Sequence, residues 1–257
     1  MEDLKIALIQ YDIQWENKSS NLSYIDQLLN TQYQGEDLII LPEMFSTGFS
    51  MNAQLHAESI EGKTMQQLLI WSSKFDCCIS GSFICEQNET FTNKFVAVFP
   101  DGSFIDYDKK YLFSPANESE VYQAGEKIST FDIKGWTICP LICYDLRFPE
   151  WPRNVEDTLD LIVYAASWPK ARIGHWDKLL AARAIENQCY SIGVNRTGSD
   201  GNGFEYNGGS VIKDYDGNSI LDCNNETGYF RFELKADHLP YREKLNFLRD
   251  KKGFQFI

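Results

Sequence analysis

Three continuous apolar runs constrain this chain most: Asp37-Leu-Ile-Ile-Leu41, Trp136 to Ile142 and Asp160 to Ala165. A strand with one wet face alternates apolar and polar residues. An unbroken run belongs to a strand covered on both faces, as in the parallel sheets of α/β proteins. Between such runs the period changes to that of helices. Leu22, Ile25, Leu28 and Leu29 share one face, and Thr64 to Phe75 places Met65, Leu68, Leu69 and Ser72 on one side. Ile173 to Gln188 turns Ile173, Trp176, Leu180 and Ala184 inward.

Further strands are expected at Lys5 to Tyr11, Cys77 to Ile84, Ser191 to Val194 and Gly228 to Leu234. Phe91 to Phe99 and Ser103 to Asp108 flank a Pro100-Asp-Gly102 turn and read as a hairpin. Ser210 to Lys213 and Ser219 to Leu221 read as another, across Tyr215-Asp-Gly-Asn218. A mixed sheet, or two sheets with outer helices, accounts for this order. No composition break divides the chain, so residues 1–257 are expected to form a single domain.

A chain of 257 residues buries roughly three quarters of its unfolded surface and needs no disulfide staples. Its seven cysteines are odd in number, and most lie in apolar runs. The N-terminus MEDLKIALIQ is acidic and leads into a strand, without a signal-peptide pattern. Reduced thiols in a cytoplasm are therefore expected. No apolar segment approaches the ~20 residues that span a bilayer. The net charge of -13 argues against nucleic acid and anionic membranes as partners. Three isolated histidines and a lone Cys139-x3-Cys143 pair do not make a metal site. Gly198-Ser-Asp-Gly-Asn-Gly203 resembles a phosphate loop but does not open a helix; it reads as a flexible loop near a site, and no cofactor is expected.

Three reactive side chains follow predicted buried strands, where α/β folds gather their ligand sites. Glu43 follows Leu38-Ile-Ile-Leu-Pro42; it is either a solvated loop carboxylate or a general base in a partly dry site. Lys109 and Lys110 follow the hairpin; they are either a pair of surface lysines or, since neighbours in a strand face opposite ways, one turns inward and stabilises developing negative charge. Cys143 ends the run TICPLIC and is followed at once by Tyr-Asp-Leu-Arg. A nucleophilic cysteine needs a base or a positive neighbour, and no histidine stands at a strand end. Cys77, Cys78, Cys139 and Cys189 read as small core residues.

Taken together, LIILPEMF, YDKKYLF, ANESEVYQAG and LICYDLRFPEW resemble the nitrilase superfamily of carbon–nitrogen hydrolases. The likeness spans nearly the whole chain, and the stretches around ASWPKARIGHW and VNRTGSDGNG resemble its omega-amidase branch. The resemblance implies an α/β fold, a four-layer α-β-β-α sandwich, paired into a homodimer or a higher homo-oligomer. It implies Glu43 as general base, Lys109 rather than Lys110 as charge stabiliser, Cys143 as nucleophile and Glu118 as a second glutamate. Tyr111 stands where family members often carry His. The implied substrates are small amides: the terminal amides of short dicarboxylic monoamides such as 2-oxoglutaramate or 2-oxosuccinamate. The Tyr144 backbone N–H would help hold the oxyanion. Arg147, Arg172 or Lys170 would face the far carboxylate, although Arg147 is equally suited to a structural pair with Glu150. Phe45, Phe113 and Trp168 would shape a short apolar pocket. Another amidase, a carbamoylase or a nitrilase is the nearer alternative, and a non-catalytic interaction protein the farther one.

Overall fold

Residues 1–154 and 158–250 are described in the structure, a computed structural model; the end of the expected 1–257 unit lies outside the described residues. The first half runs β1 (Leu4–Gln10), α1 (Lys18–Gln32), β2 (Leu38–Ile40), α2 (Ala53–His56), α3 (Lys63–Phe75), β3 (Cys78–Gln87), β4 (Thr90–Val98) and β5 (Phe104–Asp108). The second half runs β6 (Phe131–Ile133), β7 (Trp136–Ile142), β8 (Leu161–Ala166), α4 (Ile173–Asn187), β9 (Tyr190–Asn195), β10 (Thr197–Ser199), β11 (Glu205–Asn207), β12 (Val211–Lys213), β13 (Ser219–Asp222), β14 (Gly228–Leu234) and α5 (His238–Lys244).

Two six-stranded sheets result, in the orders β14-β1-β2-β3-β4-β5 and β13-β12-β9-β8-β7-β6. The apolar runs lie in the parallel centres of these sheets: β1-β2-β3 in one, β7-β8-β9 in the other. The period of two explains how each run is covered twice. In β1, Leu4, Ile6 and Leu8 enter the core that also holds the second sheet, while Ala7 and Ile9 enter the core that holds α1 and α3. In β2, Leu38 and Ile40 divide from Ile39 in the same way. On the far side, Trp176 and Leu180 of α4 pack onto β9 and β12. The layering is α-β-β-α.

The structure departs from the sequence reading in several places, the unexpected short helix α2 among them. Thr197–Ser199 pairs with Glu205–Asn207, so Gly198–Gly203 lies in a hairpin rather than an irregular loop, and its turn lies near the site as expected. Its turn is held by Asp200, whose Oδ1 accepts from the Asn202 and Phe204 N–H groups, both at 2.9 Å, and whose Oδ2 accepts from the Tyr206 hydroxyl at 2.8 Å. The edge strand β6 and the helix α5 were not expected at all. Both are short, and α5 is fixed by tertiary contacts: His238 pairs with Asp160 at 2.7 Å.

Gly193 in β9 lies close against Trp176 and Leu180 of α4. A Cβ there would stand 2.3 Å from Trp176 Cζ2 and 2.5 Å from Leu180 Cδ1. Gly193→Ala is expected to cost about 1–3 kcal/mol through overpacking. Urea unfolding checks this: the midpoint falls while the slope stays unchanged.

Candidate active site

The three expected strand exits meet. Leu41 and Pro42 carry the chain from β2 to Glu43, which is fully buried. Burial excludes the solvated-loop reading. One carboxylate oxygen, Oε1, accepts from Lys109 Nζ at 2.8 Å and Asn93 Nδ2 at 2.8 Å. The other accepts from the Ser167 N–H, just beyond β8, at 2.9 Å. Met44 follows in the left-handed region, at φ 44°, a conformation that non-glycine residues seldom adopt.

Lys109 comes directly after β5 and is 1% exposed. Its ammonium donates to Glu43 at 2.8 Å and to both oxygens of Glu118 at 2.9 Å. Lys110 turns the other way and sets its ammonium 5.0 Å from the Trp151 ring centre. Burial pushes the Lys109 pKa down, but Glu118 and Glu43 push it up further, so the amine stays charged above its usual range. Glu118 is fully buried and also accepts from the Phe113 N–H at 2.5 Å. Burial raises its pKa, Lys109 draws it down and Glu43 adds to the rise; the net direction is up.

Cys143 follows β7 at once and opens the 3-10 turn Cys143–Arg147 with φ 43°. Strain of this kind persists where the surroundings dictate it, often at functional sites. Burial and the nearby Glu43 raise the thiol pKa well above normal, against the opposing pull of Lys109. The resting group is therefore a thiol, and reaction requires a base. No imidazole supplies one: His56 pairs with Glu16 at 3.3 Å, His238 with Asp160 at 2.7 Å, and His175 lies against Arg147. Tyr144 is at the start of the turn, where backbone N–H groups have no acceptor within the helix.

A cavity of about 480 Å³ opens above these groups. Among the residues expected there, Phe113, Tyr144, Arg147, Trp168 and Arg172 line it together with Glu43, Lys109 and Cys143. Arg172 lies 5.2 Å from the Phe113 ring centre and Arg147 4.7 Å from that of Trp168. Neither guanidinium is in an ion pair with a carboxylate among the described residues. Arg147 does not bridge Glu150, which instead accepts from the Tyr111 hydroxyl at 3.1 Å. Lys170 pairs with Glu205 at the surface.

Phe45 is a correction. It is fully buried in the core beneath α1 and α3 and does not line the cavity. The left-handed turn at Met44 directs it inward, where Gly81 leaves room for its ring. Phe49, Met51, Asp200, Phe204 and Tyr206 line the cavity instead, and their positions depend on chain reversals that no local pattern announces. Asn93, Ser167 and Asp145 also went unread. Their parts are hydrogen bonds to residues distant in sequence. Among the described residues no group of three His, Cys, Asp or Glu is arranged to hold a metal ion.

The family model for carbon–nitrogen hydrolases matches residues 5–235. The omega-amidase YafV of Yersinia enterocolitica is 42% identical over the full length of both chains. The 2-oxoglutaramate amidase of Bacillus subtilis is 31% identical, covering 89% of this chain and 90% of its own. A CN-hydrolase superfamily protein from Xanthomonas campestris, solved with an arsenic adduct in its active site, is 34% identical and superposes with a TM-score of 0.96 over all of both chains.

Removing the central ammonium leaves Glu43 and Glu118 buried without a counter-charge. Lys109→Met is expected to destabilise by about 3–5 kcal/mol at pH 7. Glu118 would lose the charge that draws its pKa down. The folded variant then binds a proton more tightly than the unfolded chain, so its stability rises as pH falls from neutral toward the ordinary carboxylate range. Thermal unfolding across that range checks both the size and the sign.

Proposed function

The chain belongs to the carbon–nitrogen hydrolase family, and from that premise we propose that it is an omega-amidase. It hydrolyses the terminal amide of short dicarboxylic monoamides, 2-oxoglutaramate and 2-oxosuccinamate among them, to the dicarboxylate and ammonia. The observation that supports this best is the contact between Glu43, Lys109 and Glu118 beside Cys143, in a cavity lined by two guanidinium groups that have no carboxylate partner among the described residues. The names of the relatives from Yersinia and Bacillus support the substrate class.

The proposed steps follow from the geometry. Glu43 takes the Cys143 thiol proton as sulfur attacks the amide carbonyl. Lys109 and the Tyr144 N–H hold the oxyanion, and a donor of this kind contributes on the order of 3 kcal/mol. Glu43 passes its proton to the nitrogen, the C–N bond breaks and ammonia leaves a thioester on Cys143. Water then gives a proton to Glu43, with Glu118 tuning the cluster's charge. It attacks the thioester, and the departing thiolate recovers its proton from Glu43.

Arg172 and Arg147 serve the far carboxylate in this reading. Contact with the Phe113 and Trp168 rings restricts the two guanidinium groups, and either can pair with a carboxylate in bidentate fashion. Apolar side chains exposed on α4 and around α5, Ile185, Leu239 and Leu245, offer a surface that a second copy would cover, in favour of a homodimer. Seven unpaired thiols favour the cytoplasm.

A substrate panel tests the function. Ammonia release is expected from omega-monoamides with a free carboxylate, with kcat/KM ~100-fold lower for amides in which that carboxylate is absent, the scale of a lost charged hydrogen bond. Cys143→Ala is expected to abolish turnover. Release from nitriles but not from 2-oxoglutaramate would replace the omega-amidase reading with a nitrilase one.

A further inference from the structure

Asp145 is fully buried two residues beyond Cys143, and the steps above do not use it. Its Oδ2 accepts from the Ile142 N–H at 2.9 Å and the Tyr107 hydroxyl at 2.8 Å. Its Oδ1 accepts from the Tyr111 N–H at 2.8 Å. Ile142 directly precedes Cys143. Tyr107 and Tyr111 flank Lys109, two residues to either side. One carboxylate therefore ties the segment that carries the thiol to the segment that carries the ammonium.

The polarity of this tie is fixed. The Tyr107 oxygen already accepts from the Lys110 N–H at 3.1 Å and from Trp151 Nε1 at 3.0 Å. Its single proton is left for Asp145. All three partners of Asp145 are thus donors; a protonated carboxyl would add a fourth donor with no acceptor among them, so the arrangement favours the ionised carboxylate.

We propose that Asp145 is a positioning residue for amide hydrolysis, a clamp that keeps Cys143 and Lys109 in register. The inference rests on the amidase reading above. The groups around the carboxylate are Tyr107 and Tyr111, the charge of Lys109, and the Cys139 and Tyr164 side chains; Glu150 lies beyond Tyr111. Burial raises the Asp145 pKa against the pull of the two N–H groups and Lys109, to about 6. The clamp accordingly loosens as pH falls through that value.

Asp145→Asn keeps the shape and turns an N–H toward a donor. At pH 8 it is expected to lower kcat by ~100-fold, the scale of a misplacement near 1 Å, with KM within about threefold. The ratio of wild-type to variant kcat should shrink between pH 8 and pH 5, because the wild-type carboxylate takes up its own proton there. A ratio near one at pH 8, or a large ratio that stays flat with pH, overturns the proposal. The rate of Cys143 alkylation by iodoacetamide reads the same clamp without any amide, and the variant should again differ from wild type at pH 8 and converge at pH 5. If wild type hydrolyses no amide, the proposed function fails while this alkylation ratio still decides the clamp. If Asp145→Asn does not fold, Tyr107→Phe decides it: kcat falls about threefold or more at constant KM, and an unchanged kcat overturns the proposal.

Discussion

One ammonium held between two buried carboxylates organises this molecule. Lys109, Glu43 and Glu118 are each 1% exposed or less, and ions taken from water cost several kcal/mol apiece unless well paired. The pairing is complete only when separate stretches of chain arrive together. Glu43 comes from the end of β2, Lys109 from the end of β5, and Glu118 from a turn beyond it. Ser167, from the second sheet, donates the remaining hydrogen bond to Glu43. The face-to-face packing of the sheets and the charge cluster therefore depend on each other.

The same cluster sets the chemistry open to Cys143. Net negative charge and burial hold its sulfur as a thiol, unlike cysteines activated beside imidazolium. A thiol in this setting becomes nucleophilic only as its proton leaves, and Glu43 is the carboxylate placed against it. In the proposed reaction Lys109, held charged by the two carboxylates, serves the oxyanion formed beside it. Arg147 and Arg172 add positive charge at the cavity wall.

Much of the fold was legible because its causes are local. The runs at Leu38–Ile40, Trp136–Ile142 and Leu161–Ala166 needed cover on both faces, and the helical stripes at Ile25–Leu29 and Trp176–Leu180 could supply it. The positions of Glu43, Lys109 and Cys143 were legible for the same reason, since each follows a strand. Choosing Lys109 over Lys110 took the family resemblance, because strand alternation says only that the two differ. Asn93, Ser167 and Asp145 could not be read, because hydrogen bonds to distant chain leave no periodic trace. Phe45 misled because an aromatic beside a reactive carboxylate suggests a pocket wall. The backbone reversal at Met44, invisible in composition, sends it into the core instead.

The central claim is that catalysis passes through a covalent thioester on Cys143. Mass spectrometry of protein quenched with acid within a turnover of meeting an omega-monoamide tests it most directly. The account predicts a mass gain equal to the acyl group, located on the peptide that contains Cys143 and lost on longer incubation. Steady ammonia release with no adduct on any peptide, or with an adduct on another cysteine such as Cys139, would contradict it.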